Sequence, residues 1–196
     1  MKVLIYGHSY VRDLVKLQWK PELTVNGEQQ TIHYSFRYFP GKDYEFLLNK
    51  DQEFEVLAEI KPDYVILVLG GNSIVNFKSN NEIKTTISEF YLRLHASLPH
   101  TIKLAVQIEP RYYLTGNHFH APTAEEFNRR RQVLNNYLNK AIKKKGHLDH
   151  MVLLGSAADL NPTLYLADGV HMNEEGLLKY QAAIIRSLTY AMEQRQ

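Results

Sequence analysis

Short apolar runs alternate along the chain with longer stretches in which apolar residues recur at helical spacing. The runs are rich in β-branched and aromatic residues, which favours strands. The predicted strands are Val3–Tyr6, Thr31–Phe36, Tyr64–Leu69, Ile102–Ile108 and Met151–Leu154. Because Tyr64–Leu69 is apolar at every position, we expect this strand to be buried on both faces, in the middle of a parallel sheet.

The longer stretches have the periodicity of amphipathic helices. They predict helices at Val11–Trp19, within Tyr44–Ile60 as one or two pieces, at Ile83–Leu98, from Thr123 to Gly146, and at Leu177–Met192. Thr123 and Glu126 have the spacing of a capping box at the start of the fourth of these helices. Loops are expected at 21–27 and 109–122, where Pro and Gly accumulate.

Strands that alternate with helices predict an α/β fold with right-handed crossovers and a parallel sheet covered by helices on both faces. No internal repeat, low-complexity tract or linker interrupts the sequence, so we expect one domain over residues 1–196. Ligand sites in such sheets lie beyond the carboxyl ends of the strands. The residues that follow each strand are therefore the candidates for chemistry.

Composition limits the classes of function. Lys and Arg number 23 against 21 Asp and Glu, a balance that predicts neither a nucleic-acid partner nor a membrane surface. The sequence has no cysteine, which excludes disulfides, thiolate metal sites and a cysteine nucleophile. The first apolar run is shorter than a secretory signal requires, and no run reaches the length of a membrane span, so we expect a cytoplasmic protein.

Four segments at predicted strand ends carry glycines or polar side chains. Gly7-His8-Ser9-Tyr10 follows the first strand, Pro40-Gly41 the second and Gly70-Gly71-Asn72-Ser73 the third. Asp168-Gly169-Val170-His171 follows the fifth strand after a loop. Because the strand ends of a parallel sheet share one edge, we expect these segments to meet there.

Serine hydrolysis needs the residue types that these segments supply. A serine hydroxyl becomes a nucleophile when an imidazole takes its proton, and a carboxylate orients that imidazole. Ser9, His171 and Asp168 are the candidates for these roles. The negative oxygen of the tetrahedral intermediate needs fixed donors, for which the backbone N–H groups of Ser9 and Gly41 and the side-chain amide of Asn72 are candidates.

The four segments resemble, in order and spacing, the four sequence blocks of the SGNH (GDSL-like) serine hydrolases. The resemblance implies a flavodoxin-like, three-layer α/β/α fold with a five-stranded parallel sheet. It also implies a Ser9–Asp168–His171 catalytic triad and esterase, lipase or acetylhydrolase activity. The Gly-His-Ser opening is similar to SGNH modules of some eukaryotic retroelements as well.

Two residues depart from the family pattern. His8 stands where the family usually has Asp, and Ser73 stands where an Asp often follows the Asn of the third block. Neither position supplies a triad member or an oxyanion donor, so we expect catalysis to be retained. Adjacent side chains usually diverge, so His171 is a better base for Ser9 than His8, although a charged His8 would shift the pH optimum.

Each candidate also has a purely structural interpretation. Ser9 and Asn72 are residue types typical of helix caps, and Pro40-Gly41 is typical of a turn. Asp168-Gly169 is equally typical of a turn, with His171 as an ordinary surface histidine. The order of the four segments favours catalysis over these interpretations.

Other polar groups give weaker signals. Arg129–Arg131 and Lys143–Lys145 are interpreted as a solvated helix face, without an RNA-binding aromatic pattern. The histidines that suggest a metal site have no further ligand at suitable spacing, so no metal or cofactor is expected; they are His118, His120, His147 and His150. Residues after the fourth strand are candidates for lining a substrate pocket, namely Arg111, Tyr112 and Tyr113.

The sequence therefore predicts a carboxylic-ester hydrolase that works through an acyl-serine intermediate. The absence of an evident lid favours a short acyl group such as acetyl, on a small-molecule, lipid or carbohydrate ester. The alternative is a binding or assembly module that keeps the fold without turnover, with His8 and Ser73 as signs of drift. No oligomeric state is predicted.

Overall fold

Five parallel strands form the central sheet in the computed structural model of the protein. The structure describes residues 1–18, 21–76, 79–112, 122–143, 151–154 and 161–193. The strands are β1 (Lys2–Gly7), β2 (Leu23–Val25), β3 (Glu28–Gln30), β4 (His33–Tyr38), β5 (Tyr64–Val68), β6 (Ile102–Val106) and β7 (Met151–Leu154). The helices are α1 (Ser9–Lys16), α2 (Tyr44–Leu48), α3 (Asp51–Ile60), α4 (Gly71–Val75), α5 (Asn80–Ser97), α6 (Ala124–Lys143) and α7 (Glu174–Glu193), with a 3₁₀ turn at Pro162–Leu164.

The strand order in the sheet is β4-β1-β5-β6-β7. The chain moves from β1 to β4 on one side and then to β5 on the other, so the direction of winding reverses at β1. This is the order of a flavodoxin-like doubly wound sheet, in which ligands bind at the reversal point. The predicted fold class, an α/β protein with a five-stranded parallel sheet, is confirmed.

The core lies on both faces of the sheet, as the apolar run of β5 predicts. Tyr64, Ile66 and Val68 face a cluster formed with α1 and α7. Val65 and Leu67, which alternate with them, face a second cluster formed with α2 to α6. Side chains point to opposite faces at successive strand positions, so one continuous apolar strand contributes to both layers.

β1 and β5 approach each other closely where the two strands end, and this contact fixes the position at which the chain leaves β1. Gly7 pairs with Val68, and a Cβ atom at Gly7 would lie 2.2 Å from the carbonyl oxygen of Val68. A side chain at this position would therefore separate the two strands. The N–H of His8 then donates to the same Val68 oxygen at 3.2 Å, which directs the chain into α1.

Some elements differ from the sequence prediction. The loop expected at 21–27 contains most of an antiparallel hairpin of β2 and β3, joined by Asn26 and Gly27 with φ of 50° and 83°. Positive φ at both positions is typical of a type I′ turn. The short helix α4 was not predicted, because five residues carry too little periodicity. No helix within the described ranges has the length and apolar character needed to cross a membrane.

Candidate active site

The nucleophile candidate lies at the turn from β1 into α1. Ser9 is the first residue of α1 and is half-buried. The N-cap of this helix is His8, which makes no side-chain capping hydrogen bond. The interpretation of Ser9 as the N-cap is therefore wrong.

Asp168 and His171 form a fixed pair. The Nδ1 atom of His171 lies 2.7 Å from Oδ2 of Asp168. The other carboxylate oxygen accepts the backbone N–H groups of Val170 at 2.8 Å and His171 at 2.9 Å. Both oxygens of Asp168 are thus held, and the carboxylate lies at the Nδ1 side of the imidazole.

The same contacts set the charge of this pair. Partial burial acts to raise the pKa of the Asp168 carboxyl, but hydrogen bonds from the His171 ring and from the backbone N–H groups of His171 and Val170 outweigh it. The pKa of Asp168 therefore lies below its usual value, and the carboxylate stays ionised at neutral pH. An ionised carboxylate at Nδ1 stabilises an imidazolium when the ring takes a proton.

Backbone hydrogen bonds hold the loop that carries this pair. Leu166 N–H donates to His171 O at 2.8 Å, and Gly169 N–H donates to Leu166 O at 2.8 Å. Tyr112 N–H, from the segment after β6, donates to Gly169 O at 2.9 Å. The Asp168-Gly169 turn exists, as its structural interpretation proposes, and it also orients the Asp168–His171 pair.

Tyr10 connects this loop to the start of α1, a contact that the sequence did not reveal. Its hydroxyl donates to Val170 O at 2.5 Å, and its ring lies edge-on to that of His171 with centroids 6.5 Å apart. Burial raises the pKa of Tyr10, so the hydroxyl remains a neutral donor. Because Tyr10 follows Ser9 directly, this contact ties the position of Ser9 to that of His171.

Gly41 lies in a tight turn after β4. Lys42 N–H donates to Phe39 O at 3.1 Å, and Gly41 has φ of 74°. Pro40 followed by a glycine at positive φ is typical of a type II turn. The hydrogen bond of this turn uses the N–H of Lys42, so the turn interpretation is compatible with Gly41 as an oxyanion donor.

The side-chain amide of Asn72 is oriented by two partners. Its Nδ2 donates to Lys42 O at 2.9 Å, and its Oδ1 accepts from Nη2 of Arg111 at 3.1 Å. An amide nitrogen carries two N–H groups, so one remains for a ligand. The N-cap of α4 is Gly70, which removes the interpretation of Asn72 as a cap.

Ser73 has a structural role that explains its presence at a departure from the family pattern. It is buried, and its Oγ accepts the N–H of Tyr44 at 3.3 Å. Asp43 adds a second tie, because its carboxylate accepts the N–H of Phe46 at 2.9 Å and Nδ2 of Asn76 at 2.6 Å. Together these bonds fix the turn of Gly41 against α4, which carries Asn72.

His8, the other departure, is buried and neutral. Burial, together with the positive charges of Arg111 and His171, lowers the pKa of His8 to about 3. Its Nδ1 is buried and has no hydrogen-bond partner among the described residues. A ring with this pKa carries no charge in the working range of pH, so we do not expect His8 to shift the pH optimum.

A groove of about 370 Å³ opens beside His171. One wall is the exposed face of α1, and the opposite wall is the segment around His171 with the start of α7. Apolar side chains form much of the lining, with charged side chains of both signs, among them Asp13 of α1 and Glu174 of α7. The lining includes Arg12, Lys16, Leu17, Leu166, Met172 and Leu177.

The basic run on α6 is not a plain solvated face. Arg129 does pair with Glu126 at 2.7 Å in solvent. Arg130, however, is buried and donates to Ile74 O at 3.0 Å, and Arg131 donates to Ile108 O at 3.3 Å. These two arginines hold α6 against the segments that follow β5 and β6.

Several residues considered in the sequence lie outside the described part of the chain. They are Tyr113, His118, His120, Lys144, Lys145, His147 and His150. Within the described residues, no group of three His, Asp or Glu side chains is arranged to hold a metal ion.

Comparison with solved structures places this fold among esterases. A carbohydrate esterase family 3 protein from Talaromyces cellulolyticus is 15% identical, with a TM-score of 0.70 over 99% of both chains. An acetyl esterase mutant with an acetate ion is 15% identical, with a TM-score of 0.67 over the whole of both chains. A GDSL-like lipase from Bacteroides thetaiotaomicron is 18% identical, with a TM-score of 0.68 over 97% of this chain and 88% of its own.

Sequence comparison identifies the family. No curated protein matches the chain significantly. The sequence model of the GDSL-like lipase/acylhydrolase family matches residues 17–177, which include Asn72, Asp168 and His171 but begin after Ser9. The similarity to retroelement modules stays a prediction. The chain belongs to the GDSL-like lipase/acylhydrolase family and is an SGNH-type hydrolase of ester substrates.

Proposed function

We propose that the protein is a serine esterase in which Ser9 is the nucleophile, His171 the general base and Asp168 the residue that orients it. The observation that carries this proposal is the hydrogen bond between His171 Nδ1 and Asp168 Oδ2, with both carboxylate oxygens held. A merely solvent-exposed histidine needs no such support. The contact of Tyr10 with the same loop connects the pair to the nucleophile turn.

Acylation proceeds in two bond changes. The Oγ of Ser9 bonds to the ester carbonyl carbon while its proton passes to Nε2 of His171. The tetrahedral intermediate then collapses, the bond to the alkoxy oxygen breaks, and His171 returns the proton to the departing alcohol. Asp168 remains ionised throughout, since its low pKa keeps the proton on the imidazole.

Deacylation repeats these steps with water. His171 takes a proton from the water as its oxygen attacks the acyl carbon, and the proton then passes to Ser9 Oγ as the acid is released. In both halves the negative oxygen accepts hydrogen bonds from the N–H groups of Ser9 and Gly41 and from the unused N–H of Asn72. Fixed donors of this kind each contribute about 10²–10³ in rate.

We further propose that the alcohol leaves through the groove beside His171. The group that protonates the leaving alcohol must lie next to it, and His171 lines this groove. Leu166, Leu17 and Leu177 give the groove an apolar lining. An alcohol with an apolar body fits this chemistry best.

The acyl group is proposed to be short, such as acetyl. The side chain of Ile108 occupies the space beside Gly70, and that of Arg111 occupies the space beside Gly71. These side chains leave little room for a long acyl chain near Asn72. The name of one similar structure, an acetyl esterase with an acetate ion, agrees with this choice.

Ser9 and His171 should act as one unit. Ser9→Ala and His171→Ala should each lower kcat for p-nitrophenyl acetate by at least about 10³-fold, and the double variant should be no slower than the worse single one. Ser97→Ala, at the end of α5 on the opposite edge of the sheet, is the matched control. Losses that multiply in the double variant would mean that Ser9 and His171 act independently. Unchanged rates in the single variants would mean that neither residue takes part in catalysis, as expected for a non-catalytic module.

The pH dependence should separate the two histidines near Ser9. His8→Gln should leave the acid limb of kcat/KM in place, because a ring with a pKa of about 3 does not titrate there. Removing His8 should instead change stability. Between pH 6.5 and 3 the unfolded chain binds a proton at His8 that the folded chain does not. The wild-type free energy of unfolding therefore decreases, through this group, as the pH is lowered across this range.

Denaturant unfolding at several pH values measures this effect. His8→Gln should lose less stability than wild type as the pH falls from 6 to 4, whereas His33→Gln, on the exposed end of β4, should follow wild type. An acid limb that disappears in His8→Gln would instead identify His8 as the titrating base.

Substrate series test the proposed ester. The kcat/KM of p-nitrophenyl acetate should exceed that of the octanoate by about 10-fold or more, since the longer chain has no space to occupy. For acetate esters of aliphatic alcohols, KM should fall as the alcohol lengthens, and Leu166→Asp should remove this gain. A higher kcat/KM for the octanoate, or a KM that does not change with the length of the alcohol, would contradict the proposed substrate.

A further inference from the structure

Arg111 is a buried cation beside the proposed oxyanion donors. It follows β6 and is only 8% exposed. Two hydrogen bonds fix its backbone to one side chain of α6: Arg111 N–H donates to Asn128 Oδ1 at 3.2 Å, and Asn128 Nδ2 donates to Arg111 O at 2.6 Å. The guanidinium lies over the ring of Phe127, 4.7 Å from its centroid. The side chain is therefore held at both ends.

The guanidinium determines which way the Asn72 amide faces. Nη2 of Arg111 donates to Asn72 Oδ1 at 3.1 Å, while Asn72 Nδ2 donates to Lys42 O at 2.9 Å. A flipped amide would place two donors together at Arg111 and two acceptors together at Lys42. The two contacts thus select one orientation, in which the second N–H of Nδ2 is kept for a ligand.

Among the described residues, Arg111 makes no salt bridge with a carboxylate, although the charge of Asp168 acts on its guanidinium. Its hydrogen-bonded side-chain partner is the neutral amide of Asn72. Burial lowers the pKa of Arg111, but a guanidinium remains protonated at neutral pH. A cation on the carbonyl end of an amide withdraws electrons from its nitrogen, which strengthens the N–H as a donor.

We propose that Arg111 is a positioning residue for Asn72, which it orients and polarises as a donor to the oxyanion of the tetrahedral intermediate. The inference rests on the proposed function, because it assigns a support to one of the proposed donors. From the sequence, Arg111 is predicted only to line the substrate pocket.

Kinetics of variants test the proposal. Arg111→Met should lower kcat for p-nitrophenyl acetate by about 10–100-fold and change KM by less than about 3-fold, because the loss concerns the transition state. Arg111→Lys should recover only part of the rate, since an ammonium lacks the planar fork. Arg93→Met is the matched control: Arg93 lies over Phe54, pairs with Asp51, and is remote from the strand ends that form the site.

A double-mutant cycle separates positioning from direct contact. In the Asn72→Ala background, Arg111→Met should cause no further loss of kcat, because its effect passes through Asn72. Losses that multiply would mean that Arg111 acts by a route other than Asn72, on the substrate or on the nearby Asp168 charge, and would overturn the proposal. A normal kcat in Arg111→Met, with only a lower Tm, would overturn it as well.

A measurement without turnover distinguishes this proposal from the proposed function. The side-chain NH₂ signals of Asn72 in ¹⁵N–¹H spectra are assigned by their loss in Asn72→Ala. They should shift and exchange faster with solvent in Arg111→Met, and should stay in place in Arg93→Met. Unchanged Asn72 signals in Arg111→Met would overturn the positioning role even in an active esterase. If the signals shift but turnover does not depend on Ser9, Arg111 still orients the Asn72 amide, and the proposed serine esterase function is wrong.

Discussion

The pairing of β1 with β5 is the constraint on which the site depends. Gly7 faces Val68 across the two strands, and the absence of a side chain at Gly7 allows the backbones to approach. Both strands end at this level, so the segments that carry Ser9 and Asn72 leave the sheet side by side. The winding of the chain reverses here, which opens a crevice between the two segments.

Side-chain contacts then fix each segment around this crevice. Ser73 and Asp43 hold the turn of Gly41 against α4, and Arg111 holds the amide of Asn72. On the other side, Tyr10 connects the start of α1 to the loop of Asp168 and His171. The charges differ on the two sides of this segment: the carboxylate of Asp168 is ionised beside the imidazole of His171, while His8, next to Ser9, is neutral.

The sequence predicts most of the fold because the relevant signals are local. In a run such as Tyr64–Leu69, every apolar residue is also buried, so the sequence marks the position of the strand directly. The four strand-end segments follow the order of the family's sequence blocks. The bounds of the edge strand differ from the prediction, since β4 begins at His33 rather than at Thr31. The hairpin of β2 and β3 was missed although Asn26-Gly27 is a turn signal, since its strands have three residues each.

The supports of the site could not be predicted, because they depend on distant contacts. Arg111 and Asn72 are 39 positions apart, and Tyr10 and Val170 are 160 positions apart. Nothing in the local sequence of Ser73 indicates that its hydroxyl accepts from Tyr44. The prediction that Arg130 lies on a solvated helix face is wrong for the same reason. A run of three arginines indicates an exposed face, and the buried contact of Arg130 with Ile74 O depends on a segment 56 positions away.

In the proposed mechanism, Ser9 is a nucleophile that His171 activates. Labelling with a fluorophosphonate, followed by mass spectrometry of the intact and digested protein, tests it most directly, because the reagent needs no knowledge of the substrate. The account predicts one adduct per chain, on Ser9, which is absent in Ser9→Ala and forms far more slowly in His171→Ala. No adduct, an adduct on another residue, or labelling that persists in Ser9→Ala would contradict it.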